Sequence, residues 1–406
     1  MRIEIRQLTA DQLGEFTQPL RVVFGMSPGP EREEGMRRLP ELTSRLGAFD
    51  GDALVGVAGS FAFTMTTPGG DAPIAGLTMV AVLPTHRRRG ILTALIGRHL
   101  DEARAEGRPL SVLWATEGTI YGRFGYGLAS HACSASIERD RTGFRGEAGA
   151  VGRARLLGEA EALEVFPPVW ERARPLAPGM LSRSAAWWRG RRLLDDEATR
   201  KGGGPLQRVV IEVDGRAEAY AMYCVHHRWD ACQIPAGALR VIEAIGATPL
   251  GTRLVWRYLF DVDLVQQIEA SLLPLDHPLR LLLAEPRRLR LTATDGLWVR
   301  IVDVEAALAA RAYGGGGALT LEIEDRGCPW NAGRFRLDGG ARRAARTTDA
   351  PDLRLDVAAL GSAYLGGFSF RDLADAGQVA ELTEGAVDRA DTLFRAARAP
   401  WCPEIF

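Results

Sequence analysis

Lysine is nearly missing from this chain: Lys201 is the only one, so almost all of its positive charge is arginine. Fifty basic residues face 51 acidic ones, for a net charge of −1. Without a cationic excess the chain as a whole is not expected to bind nucleic acid. Cysteine is sparse too. Cys133, Cys224, Cys232, Cys328 and Cys402 are odd in number and widely spaced, with no CxxC pair, so neither a disulfide framework nor a zinc site is indicated. His226 and His227 are adjacent and would point to opposite faces of a strand. No apolar run approaches the roughly 18 residues of a membrane span. The N-terminal MRIEIRQLTADQL carries charges where a signal peptide has an apolar core. A cytoplasmic location, with no membrane and no metal, is therefore expected. Neither GxxxxGK[ST] nor a GxGxxG after a strand occurs, which disfavours ATP and dinucleotides.

What is present is a soluble, globular composition, 46% hydrophobic and 25% charged, over 406 residues. That length predicts two to four domains, at roughly 100–200 residues each. One stretch organises the reading. Met79 to Leu83 is an apolar β-rich run stopped by Pro84; Arg87, Arg88 and Arg89 follow, then Gly90, then a helix with Leu92, Leu95, Ile96 and Leu100 on one face. Strand, basic loop and helix start together make an anion site, because unpaired amides and the positive dipole end converge there. Guanidinium forks suit phosphate.

This loop, Arg87-Arg88-Arg89-Gly90-Ile91-Leu92, resembles the Q/R-x-x-G-x-G/A acetyl-CoA signature of the GNAT acetyltransferases, although Leu92 replaces the small last residue. About 30 residues later, past one more strand (Pro109 to Ala115), comes Thr116-Glu-Gly-Thr-Ile-Tyr121-Gly-Arg-Phe-Gly-Tyr126-Gly. Tyr121-x-x-Phe-Gly-Tyr126 is similar to that superfamily's Tyr-x-x-x-Gly-Phe box, whose first tyrosine protonates the departing thiolate. A phenol of pKa about 10 is in its acid form at neutral pH, and protonation helps a thiol of pKa about 8.5 to leave. VAVLPTHRRRG followed by EGTIYGRFGYG narrows the resemblance to the enhanced intracellular survival (Eis) family, over residues 76–130.

The resemblance implies a mixed α/β (α+β) chain of three units. Residues 1–150 would be a GNAT acetyltransferase domain, 151–292 a degenerate GNAT-like domain, and 293–406 a sterol-carrier-protein-like domain. Read without the resemblance, RVVIEVDGRAEAYAMYCVHH is a hairpin turning at Asp214-Gly215. Residues 238–260 then repeat the strand, loop and helix order of 77–100 without its arginines, an internal duplication expected not to bind CoA. In 293–406, the strand of Gly296-Leu-Trp-Val-Arg-Ile-Val opens the third unit.

Acetyl-CoA is thus expected along Val80, Ala81 and Val82, with its pyrophosphate on Arg87, Arg88, Arg89, Gly90, Ile91, Leu92 and Thr93, and with Thr116 and Glu117 beside it. The Val82 N–H could polarise the thioester carbonyl. The family uses its chain-terminal carboxylate as general base, which falls on Phe406 here. An α-carboxylate is ionised at neutral pH. Tyr121 and Phe406 are the catalytic candidates; Phe24, Met79, Trp187 and Glu404 are the acceptor-side ones. Glu31, Glu33 and Glu34 are acidic residues in the same region, and the stretch VVFGMSPGPEREEGMRRL (22–39), broken by Gly and Pro, could carry a substrate-covering lid. The implied reaction acetylates a small polyamine of aminoglycoside type, in a homo-hexamer. A peptide-lysine acetyltransferase and a non-catalytic acyl-CoA or lipid-binding regulator remain open.

Overall fold

Residues 42–82 alternate or run continuously apolar, and they form the longest strands. The computed structural model describes residues 3–25, 29–146 and 152–406. Strands β1 (Ile3–Gln7), β2 (Leu42–Asp50), β3 (Ala53–Thr67) and β4 (Gly70–Val82) pair antiparallel in chain order. Helices α1 (Leu13–Phe24) and α2 (Pro30–Arg37) lie between β1 and β2. Part of the expected lid, residues 26–28, lies outside the described residues. Helix α2 is docked sideways, Arg32 forking onto Asp196 at 2.8 and 2.9 Å. Helix α3 (Ile91–Ala105) then crosses back so that β5 (Leu110–Trp114) joins parallel to β4. Helix α4 (Gly118–Tyr121) and a short β6 (Gly127–Leu128) follow.

The second sheet repeats this plan. Strands β7 (His131–Glu138) and β8 (Arg153–Leu156) precede helix α5 (Glu159–Ala173), β9 (Gln207–Val213), β10 (Arg216–His226) and β11 (Ala238–Gly246). Helix α6 (Pro249–Asp261) crosses to β12 (Gln267–Leu273), which runs parallel to β11, and β13 (Arg290–Asp295) closes the sheet. The β9–β10 hairpin turns through Asp214 (φ 51°) and Gly215 (φ 77°), both left-handed, as a two-residue hairpin requires.

The sheets do not divide at 150 and 292. Strand β7 pairs with β12 and β13, inside the second sheet. Strand β14 (Leu297–Ile301) does not open the third unit but returns to the first sheet, between β5 and β6. Leu297, Val299, Arg300 and Ile301 are all fully buried there, and only an interior slot covers both faces of a strand. Local pattern marks such a segment as a strand without saying which sheet it joins. The third sheet holds β15 (Ala318–Glu324), β16 (Gly333–Asp338), β17 (Arg343–Arg346), β18 (Leu353–Asp356) and β19 (Val379–Glu381). Helices α7 (Val357–Tyr364) and α8 (Ala386–Phe394) cover it. Among the described residues no helix is long and apolar enough to cross a membrane.

One core histidine makes the fold acid-sensitive. His99 of α3 is 2% exposed and meets Ser111 Oγ at 2.8 Å, and burial pushes its pKa down to about 4. Its contribution is full above the unfolded-state value near 6.5 and is lost as pH falls toward the folded value. Between pH 7.5 and 5 the loss should be about 2 kcal/mol. Urea unfolding of His99→Gln should show a pH slope flatter by that amount; an unchanged slope would refute the assignment.

Candidate active site

Strand β4 carries one residue too many for its partner. Val57 faces Ala81 and Gly59 faces Thr78, so Met79 and Val80 together oppose Ala58. Met79 sits at φ 51°, a strained conformation for a side-chain-bearing residue, costing about 1–3 kcal/mol. A bulge bends its strand. Parallel pairing with β5 stops at Gly76–Val112, and beyond it the two strands splay apart. Met79, an acceptor-side candidate, is therefore the bulge residue; its side chain packs in the same cluster as Phe406, away from the α3-side cleft.

On the α3 side the splay opens into a cleft of roughly 1140 Å³. Val80, Ala81, Val82, Arg87, Arg88, Gly90, Ile91, Leu92, Thr93, Thr116, Glu117, Tyr121 and Phe24 line it. Arg89 does not: it turns away toward Asp50, 3.8 Å off. Arg88 (φ 63°) and Gly90 (φ 78°) are both left-handed, which turns the loop sharply into α3. No side chain caps this helix, and its first internal bond is Ala94 N–H to Gly90 O at 3.0 Å. The amides of Ile91 to Thr93 are left to a ligand. Leu83 N–H bonds Val55 O at 2.9 Å. By the alternation of an antiparallel ladder, Val82 N–H then points away from β3, toward the splay.

Tyr121 is 7% exposed, and burial raises its pKa, so the phenol keeps its proton at neutral pH. Its ring lies edge-on to Tyr126, 6.0 Å between centroids. Tyr126 is fixed by Ser111, hydroxyl to hydroxyl at 2.8 Å.

Phe406 lies on the opposite face of the sheet. Its ring packs edge-on to Phe61 and Phe63, with centroids 6.4 and 5.4 Å away, whereas Tyr121 belongs to the core layer of Leu77 and Leu95. A Cβ on Gly76 would stand 3.0 Å from the Phe406 ring, so glycine at the root of the splay admits the chain end. The tail is firmly held. Trp401 bonds Pro178 O (2.7 Å) and Leu272 O (2.5 Å), Trp114 of β5 donates to Glu404 O (2.7 Å), and Arg191 donates to Ile405 O (3.1 Å).

Glu404 does not face a substrate. It is 1% exposed, with Arg183 Nε at 2.6 Å and Arg192 at 3.6 Å. Arg183 is itself buried against Trp170, 3.4 Å from the ring, and forks onto Glu243 of β11 at 3.0 and 2.6 Å. Burial opposes ionisation of Glu243, yet Arg183 and Arg192 hold its pKa down to about 2. A carboxyl group buried this deeply needs such partners, so Glu404 is an anchor. Trp187 is likewise core, fully buried and edge-on to Phe61 and Phe63, while Trp188 faces Trp170 and Tyr220. Of the other acidic candidates, Glu33 pairs with Arg21, Glu34 pairs with Arg37 and Arg38, and Glu31 is exposed. Arg183, Arg192 and Gly76 carried no sequence signal.

In the second sheet the equivalent helix start is closed. Thr248 Oγ1 accepts from Gly251 N–H at 3.0 Å, and a Cβ on Gly246 would collide with Thr252. Of the first-turn amides, which stand uncapped after Gly90, one is taken here by the Thr248 hydroxyl, and Pro249 has none to offer.

Residues 4–129 match an acetyltransferase (GNAT) domain family, 179–301 match a second one, and 304–403 match a sterol carrier protein domain family. The chain is 41% identical to an uncharacterized N-acetyltransferase of Streptomyces avermitilis, over all of both chains. It is 34% identical to the N-acetyltransferase Eis of Mycobacterium tuberculosis over 90% of each. The crystal structure of Eis1 from Mycobacterium abscessus superposes over all of both chains, with TM-score 0.85 and 34% identity.

Releasing the tail should affect only its own side of the sheet. Glu404→Ala is expected to leave CoA affinity within about twofold and to lower acetyl transfer by about tenfold or more, because misplacing a reacting group is costly. Loss of CoA binding in calorimetry would contradict this division.

Proposed function

This chain belongs to the Eis family of GNAT N-acetyltransferases, and we propose that it transfers acetyl from acetyl-CoA directly to an amine of a small molecule, with Tyr121 as general acid and the Phe406 carboxylate as general base. The single observation that carries this is the splay itself: a buried, protonated phenol on one face and a pinned chain end on the other. Bound acetyl-CoA supplies the acetyl thioester. Uncapped amides of Ile91 to Thr93, with Arg87 and Arg88, suit its diphosphate, and Val80 to Val82 suit its pantetheine arm. The Val82 N–H, turned away from β3, would polarise the thioester carbonyl. The chain-end carboxylate accepts the proton of the incoming ammonium, through water, and Tyr121 gives its proton to sulfur as the C–S bond breaks.

For the acceptor, a small polyamine of aminoglycoside type is the first class to test, since the chain end is anionic. A specific observation favours a second class. The Phe406 ring stands against Phe61 and Phe63, and Glu33, Glu34 and Glu404 are already paired with arginine. An amine on an apolar body suits a chain end in such surroundings. Assembly as a homo-hexamer rests on the family resemblance, and a cytoplasmic location on five free cysteines.

Thiol release from acetyl-CoA with polyamines, apolar monoamines and lysine peptides separates these classes. Release with peptides alone, or with no amine, would overturn the proposal in favour of a peptide acetyltransferase or a regulator. Tyr121→Phe should lower kcat by about 10²–10⁴ with KM for acetyl-CoA little changed. Removing Phe406 should cost a similar factor, and full activity without either residue would exclude its proposed role.

A further inference from the structure

The α3-side cleft has a second basic end, supplied by a different domain. Arg326 and Gly327, from the turn after β15 in the sterol-carrier-like unit, line the same cavity as Arg88 and Gly90. Across from them stand Gly97 and Leu100 of α3, and Arg123 and Phe124 of the turn after Tyr121. Arg326 is exposed and has no hydrogen-bond or ion-pair partner among the described residues. Arg123 uses only its Nε, toward Ile120 O at 3.2 Å, and its guanidinium lies over the Phe124 ring. Two free cationic forks thus face one cavity.

Both of these walls are held by one buried side chain. Arg300 of β14 is fully buried and forks onto Asp325, with both contacts at 2.8 Å. Asp325 in turn accepts from Gly327 N–H (3.0 Å), Cys328 N–H (3.0 Å) and Asn331 Nδ2 (3.1 Å). The opposite turn packs on the same guanidinium: a Cβ on Gly125 would stand 2.9 Å from Arg300 Cζ. Trp330 braces the loop against α3, under Arg104 at 4.4 Å. A four-residue turn with this many bonds to a buried anion is a built feature, and its one unbonded side chain points into the cleft.

We propose that Arg326, with Arg123, binds the ribose 3′-phosphate of the coenzyme, so that the third domain selects CoA over its 3′-dephospho form. This rests on the acetyl-CoA reading above. CoA carries anions at two places, the 5′-diphosphate and the 3′-phosphate, separated by a ribose. The cleft offers cationic groups at two places, the start of α3 and the Arg326–Arg123 end. A phosphate monoester facing guanidinium forks gains charge-assisted hydrogen bonds that the dephospho form cannot make. Arg326 reaches no reacting atom; its role is specificity.

The test is calorimetric binding of CoA and 3′-dephospho-CoA to the full chain and to Arg326→Ala, both checked by thermal melting. Wild type should bind CoA about tenfold or more tighter, and Arg326→Ala should bring the CoA affinity down toward that of dephospho-CoA without moving the latter. Arg326→Lys should restore part of the difference. A wild type that binds both alike, or a variant that keeps the preference, overturns this inference and leaves the acetyltransferase reading intact. Failure of wild type to bind CoA at all overturns both.

Discussion

The Arg183 guanidinium is the contact on which the rest of the active-site geometry depends. It is fully buried between Trp170 and Trp188, and two carboxylates from distant parts of the chain, Glu243 and Glu404, meet on it. None of the three charges is tolerable alone in that environment, and breaking such a cluster costs about 3–5 kcal/mol. Because Glu404 is two residues from the end, satisfying this charge leaves the chain terminus almost no freedom. The second domain thereby decides where the first domain's proposed base stands.

The other constraint is the bulge at Met79. An extra residue in β4 bends it, and beyond Gly76 its pairing with β5 ends, which leaves an opening in the sheet. The phenol of Tyr121 reaches it from the α3 face and the chain end from the other. Glycine at position 76 lets the Phe406 ring sit at the root of the opening. Strain at one backbone position is in this way tied to the opening on which the proposed two-sided site depends.

The duplicated second unit differs from the first at the start of its crossover helix. Both units have a strand, a loop and a helix before a parallel crossover strand. At Gly90 the helix start has no side-chain cap and stands beside arginines, while at Thr248 a hydroxyl takes the same kind of amide. One capping residue and the loss of the arginines are what the proposed difference in CoA binding rests on. The second unit's contribution is instead Glu243, Tyr220 and the tryptophans that hold the tail.

Much of this was legible in the chain as written. The β-run ending at Pro84, the Arg-Arg-Arg-Gly loop, the amphipathic helix and the Tyr121 box are local patterns, and local patterns fix local structure and the amides or hydroxyls it presents. Pairing partners are another matter: 297–301 reads correctly as a strand, yet its sheet depends on edges formed by residues more than a hundred positions away. Charges are harder still. Glu404 looks like a free acid and Trp187 like a groove residue until three-dimensional packing brings Arg183 to the one and Phe61 and Phe63 to the other. A sequence shows which groups a protein owns; which of them are already spent on each other is decided only when the chain is folded, because burial and pairing are properties of neighbours in space.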